Sequence, residues 1–206
     1  AEAVAETMQD KTVEWMLKMA SRTNAAIVGS VIISEENKFY NRLLFVEPNG
    51  KITTYDKRHT FTLVGEHKVF TAGTKKVIID YKGWKICPLI CYDLRFPVWA
   101  RNTEDYEVLL YVANWPKPRI SAWDILLKAR AVENMCYVAG VNRVGFDANN
   151  FEYSGHSAVF DCLGEQIVTT TPNTACFEIV ELQKEHISKV RNKLNFLNDM
   201  DTFEIN

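Results

Sequence analysis

The segment KICPLICYDLRFP, Lys85 to Pro97, holds the residues best suited to chemistry. An apolar, strand-like run ends on Cys91, and Tyr92, Asp93 and Arg95 follow at once. Side chains that carry out chemistry in α/β sheets favour the C-terminal ends of strands. A thiol there, with the backbone N–H groups of a turn beyond it, can have a lowered pKa and act as a nucleophile. The other four cysteines, at 87, 136, 162 and 176, sit inside apolar runs and are expected in the core.

A cysteine nucleophile needs a base for its proton, a donor for the oxyanion and an acid for the leaving group. Four histidines are available, His59, His67, His156 and His186, and none carries a local signature of a catalytic base. Lys57 follows a predicted hairpin strand in TTYDKRHTF, at the mouth of a long polar loop, and Glu66 lies within that loop. Taken alone, Lys57 is more readily read as a solvated surface charge than as a functional one, and Glu66 reads as an exposed charge. Cys87 and Cys91 with His59 or His156 match no zinc-ligand spacing, and no GxSxG, Walker, GxGxxG or HExxH pattern occurs.

The elements around these residues follow from periodicity. The opening stretch AEAVAETMQDKTVEWMLKMASRTN reads as one amphipathic helix. AAIVGSVIIS reads as a strand buried on both faces. FYNRLLFVEP and KITTYDK form a hairpin about Asn49-Gly50. Two strands flank Lys82-Gly83, a short helix starts near Pro97, and YEVLLYVANW is a buried strand. A helix with Ser121 as its expected N-cap leads into the strand CYVAGVN. HSAVFD, EQIVTT and ACFEIVEL are read as three more strands, and Lys184 to Val190 as a helix. Alternating strands and helices with some hairpins predict an α/β layered domain with a mixed sheet or sheets.

Composition narrows the class. The chain has 206 residues, 47% of them hydrophobic, and a net charge of -2, so no basic surface is expected to draw nucleic acid. Five cysteines without a regular framework favour a reducing, cytoplasmic setting. No apolar run approaches the ~20 residues of a membrane helix.

Three segments in order, YDKRHTF (Tyr55 to Phe61), CYDLRFP (Cys91 to Pro97) and ARAVENMCYVAGVNRVG (Ala129 to Gly145), resemble the nitrilase superfamily of carbon–nitrogen hydrolases. With YVANWP between them, they are most similar to its ω-amidase branch, whose members hydrolyse the side-chain amide of 2-oxo acids such as 2-oxoglutaramate and 2-oxosuccinamate. The resemblance implies a nitrilase-like α-β-β-α sandwich formed by one domain over 1–206, with 190–206 as a C-terminal extension. It implies a Glu-Lys-Cys triad with Cys91 as nucleophile. Lys57 and the backbone N–H of Tyr92 would be oxyanion donors, Glu66 the second glutamate that supports the first, and Trp115 part of the acyl pocket. Arg130, Glu133 and Asn134 would belong to a structural and interface helix. It implies a small-molecule amide substrate, no metal or organic cofactor, no nucleic-acid or membrane partner, and a homodimer or higher homo-oligomer. By the same resemblance the first strands and the general-base glutamate lie upstream of Ala1, and Glu2, Glu6 and Glu14 do not take that role. A carbamoylase, aliphatic amidase or nitrilase of the same superfamily, and a catalytically silent scaffold of the same fold, are the competing readings.

Overall fold

β-Branched and aromatic residues in alternation build the strands, and apolar residues at three- and four-residue spacing build the helices. The computed structural model describes residues 1–205. In chain order the elements are α1 (Lys11–Thr23), β1 (Ile27–Glu35), β2 (Lys38–Val46), β3 (Ile52–Asp56), β4 (Ile79–Tyr81), β5 (Trp84–Ile90) and α2 (Pro97–Ala100). Then come β6 (Val108–Ala113), α3 (Ile120–Asn134), β7 (Tyr137–Asn142), β8 (Val144–Phe146), β9 (Glu152–Ser154), β10 (Ala158–Phe160), β11 (Gln166–Thr169) and α4 (Lys184–Leu194). The architecture is mixed α/β, as the sequence predicts.

The chain divides into two compact units, one of residues 1–77 and 88–93, the other of residues 78–87 and 94–206. In the first, β1, β2 and β3 form an antiparallel meander. Arg42 pairs with Asp56 and Tyr55 with Leu43 across the hairpin that Asn49-Gly50 turns. Val13, Met16 and Ala20 of α1 pack on Leu44 and Val46 of β2, which makes the core of this unit.

The six-stranded sheet has the order β11-β10-β7-β6-β5-β4; in it β6 pairs with β7 in parallel, and a parallel pair needs a crossover, supplied here by a helix. That helix is α3. Val108, Met135, Tyr137 and Cys162 form a core with Ile187 and Val190 of α4.

Five expectations are corrected. The opening helix begins only at Lys11; Glu6 instead bridges Ile33 of β1, and its carboxylate accepts the Thr12 N–H (2.9 Å) and hydroxyl (2.8 Å), which satisfies the start of α1. Strand β1 is not buried on both faces: Ile33 alone of its residues is fully buried. Ser121 does not cap α3, because a 3-10 turn at Lys117–Arg119 runs straight into Ile120 and Arg119 takes the cap position. ACFEIVEL forms no strand, Phe177 and Ile179 are 86% and 88% exposed, and Cys176 is exposed rather than in the core. β propensity alone does not make a strand; the ladder needs a neighbour, and this segment has none among the described residues.

Candidate active site

Lys57 directly continues β3. Its N–H donates to the Asn41 carbonyl of β2 (2.9 Å), so the ladder runs one residue past the strand. Its carbonyl accepts the Gly73 N–H (2.9 Å), which pins the far end of the loop. A Cβ at position 73 would lie 2.0 Å from the Asp56 carbonyl oxygen, so only glycine lets the backbones approach this closely. The Lys57 side chain is 3% exposed. A buried ammonium needs a partner, and Glu66 supplies it: Nζ donates to Oε2 at 2.7 Å.

The loop is built to deliver that carboxylate. Two 3-10 turns, Thr62–Val64 and Glu66–Lys68, are joined by Gly65 at φ 80, a left-handed conformation that glycine adopts without steric cost. The Glu66 N–H donates to the Phe61 carbonyl (3.2 Å), and the Phe61 N–H donates back to Glu66 Oε2 (2.6 Å). One carboxylate oxygen thus accepts a backbone amide and the lysine together. An ammonium fixed in this way is a preorganised positive charge, the kind of group that stabilises a developing oxyanion.

Cys91 follows β5 and opens a 3-10 turn through Arg95. Its φ is 45, a conformation rare for a residue with a Cβ and costly unless its surroundings enforce it. The side chain is half-buried. Tyr92 follows, and its ring tilts against Phe61 at 4.7 Å between centroids, linking the cysteine turn to the lysine loop. Asp93 is completely buried and accepts hydrogen bonds from Tyr55, His59 and Ile90.

Cys91, Tyr92, Lys57 and Glu66 therefore all belong to the first unit. Trp115 belongs to the second and is held rigidly there. Its N–H donates to Asn142 Oδ1 (2.7 Å), its carbonyl accepts from Asn142 Nδ2 (3.0 Å), and its indole N–H donates to the Arg119 carbonyl (2.8 Å). The Arg95 guanidinium lies 4.9 Å from the ring centroid. Arg130 and Asn134 are buried in polar bonds at the end of α3: Arg130 donates to the Leu94 carbonyl (2.7 Å) and to Glu133 (2.8 Å).

The family profile for carbon-nitrogen hydrolases matches residues 1–192. The chain belongs to the carbon–nitrogen hydrolase family. It is 47% identical over 205 residues to "Omega-amidase YafV" of Escherichia coli (strain K12), covering 99% of this chain and 80% of that protein. To "2-oxoglutaramate amidase" of Bacillus subtilis (strain 168) it is 40% identical over 154 residues, 73% of this chain and 59% of that protein. The crystal structure of XC1258 from Xanthomonas campestris, described as a CN-hydrolase superfamily protein with an arsenic adduct in the active site, superposes with a TM-score of 0.97. That match has 41% identity and covers all of this chain and 81% of the other.

Within this carbon–nitrogen hydrolase, the thiols differ sharply. Burial pushes Cys136 well above the ordinary thiol range and Cys162 up to about 11. None of the five cysteines is in a disulfide. Among the described residues no group of three His, Cys, Asp or Glu side chains is placed to hold a metal ion, and no helix is long and apolar enough to cross a membrane. The sequence assigns no role to Tyr55, His59 or Asp93, which the structure brings together. Two signals pointed to them: a carboxylate two residues beyond an apolar strand, and a histidine two residues beyond Lys57.

Proposed function

We propose that this hydrolase is an ω-amidase, cleaving the terminal amide of a 2-oxo dicarboxylic acid monoamide such as 2-oxoglutaramate or 2-oxosuccinamate to the acid and ammonia. The observation that carries the reading is the 47% identity to an ω-amidase over 99% of the chain. In this mechanism the Cys91 thiolate attacks the amide carbon, and the carbonyl oxygen becomes a tetrahedral oxyanion. Lys57 Nζ and the Tyr92 N–H donate to that oxygen. Collapse breaks the C–N bond, and the nitrogen takes up a proton and leaves as ammonia. Water then adds to the thioester carbon, the C–S bond breaks, and the acid leaves with the thiol restored. Glu66 anchors Lys57 and, in the role the family resemblance implies, supports the general-base glutamate. The buried Lys57–Glu66 ion pair supports the oxyanion role, because its charge is fixed before any charge develops.

The substrate is tested by ammonia release from the full-length protein. Turnover of 2-oxosuccinamate is expected; release from N-carbamoyl amino acids in its place would give the branch to a carbamoylase. Cys91→Ala should lower turnover by about 10⁴-fold or more, since removal of a nucleophile eliminates the covalent route. We further infer one catalytic domain with 190–206 as an extension, a cytoplasmic setting and a homodimer packed through α3. Ile125 and Val132 of that helix are exposed apolar side chains, which supports the last point. Light scattering on the eluting protein at micromolar concentration should give twice the chain mass, and a monomer would overturn the dimer.

A further inference from the structure

The sequence places Asp93 two residues after Cys91, and the structure gives it no exposure to solvent. A buried carboxylate must be fully hydrogen-bonded, and an ionised one offers about four acceptor sites on two oxygens. All four are used. Oδ1 accepts the backbone N–H of His59 (3.0 Å) and its ring Nδ1 (2.8 Å). Oδ2 accepts the Tyr55 hydroxyl (2.8 Å) and the backbone N–H of Ile90 (3.1 Å). Because an ionised carboxylate only accepts, His59 Nδ1 is the donor in this contact.

The positions of these donors matter more than their number. Ile90 is the residue before Cys91, so its bond to Asp93 closes a loop whose only inner residues are Cys91 and Tyr92. That closure acts on a cysteine at φ 45, where the backbone needs enforcement. Tyr55 and His59 stand two residues before and two residues after Lys57. The Tyr55 hydroxyl also accepts the Arg58 N–H (3.2 Å), drawing the chain just past Lys57 into the same knot. One carboxylate therefore holds both flanks of the lysine and both flanks of the Cys91-Tyr92 pair.

We propose that Asp93 is a positioning residue that fixes the Cys91 sulfur and the Tyr92 amide relative to the Lys57 ammonium, through its bonds to Ile90, Tyr55 and His59. It touches no substrate. It sets the distance between nucleophile and oxyanion donors, and a displacement of about 1 Å in such a constellation costs on the order of 10²-fold in rate. The inference rests on the assignment of Cys91 and Lys57 in the proposed mechanism.

Asp93→Asn keeps the volume but replaces two acceptor sites with an NH₂ that faces donors. The full-length variant is expected to fold, to lose about 10- to 100-fold in kcat, and to hold KM within about three-fold, because binding groups are untouched. The rate of iodoacetamide alkylation at Cys91 should change with kcat, a readout that a purely structural role would leave alone. A folded Asp93→Asn enzyme with kcat within about two-fold of the parent, or a loss carried by KM alone, overturns the proposal. If Asp93→Asn yields no folded protein, Tyr55→Phe decides: it removes one donor to Asp93, and a fall in kcat of about three-fold or more at constant KM supports the role, while unchanged kcat overturns it. Cys91→Ala separates the two levels. If it stays active, the mechanism itself fails; if it is inactive and the Asp93 series is silent, only the positioning role fails.

Discussion

Two buried polar knots, one in each unit, solve the same mechanical problem with different chemistry. Around Asp93 a charged group gathers four donors. Between α2 and the end of α3 the work is done by neutral amides. Asn102 N–H donates to Asn134 Oδ1 (2.9 Å), Asn102 Nδ2 donates to the carbonyls of Asn134 (3.0 Å) and Tyr106 (2.8 Å), and the Tyr106 N–H returns to Asn102 Oδ1 (2.8 Å). An amide carries donors and acceptors together, so the Asn102 and Asn134 side chains stitch backbone to backbone without adding a charge of their own. A carboxylate is more costly to bury and holds its donors more strongly. The charged knot lies beside the candidate nucleophile, and the neutral one lies where only the path of the chain has to be held. The site region is thereby held rigid in position, and the other region is held stable.

The strongest test of that division is Lys57→Met. It should lower kcat by about 10²- to 10³-fold, as loss of an oxyanion donor does. Steady-state kinetics with a loss below ten-fold would remove Lys57 from the oxyanion role. Asn134→Ala should do the reverse. It leaves the Asn102 N–H without its side-chain acceptor in a buried position, which costs about 2–3 kcal/mol in urea unfolding, while kcat per folded molecule stays within about two-fold. Activity loss without destabilisation would break the comparison. The smallest effect concerns the buried thiols. Burial raises Cys136 and Cys162, so the folded protein holds these protons more tightly than the unfolded chain does. Their contribution is fully present below the unfolded thiol pKa of about 8.5 and is lost as pH rises toward the folded values. The unfolding free energy should decline across that alkaline window, and less steeply in Cys136→Ala; equal slopes would refute the linkage.

Much of the site was legible because a few residues announce themselves by being out of place. Cys91 ends an apolar run, and Lys57 ends a β-branched strand. The structure places Cys91 just past the end of β5 and Lys57 just past β3, but that the loop carries Glu66 onto the Lys57 ammonium was not readable. What could not be read was pairing. His59 and Asp93 are 34 residues apart, and Tyr55 and Asp93 are 38 apart. No local pattern encodes such contacts. The same reason accounts for ACFEIVEL: its composition favours a strand, and its lack of a neighbour leaves it irregular. The cap of α1 was hidden likewise, because Glu6 reaches Thr12 from outside the helix.

By itself, then, the sequence determined the α/β class, the order of nearly every element, and the side chains able to do chemistry, because periodicity and residue type are local properties. Only the tertiary structure decided that Cys91 adopts a left-handed backbone, that Lys57 is buried against Glu66, and that Asp93 binds both flanks of each. Those are consequences of close packing, which makes a buried charge find its partners among segments far apart in the chain.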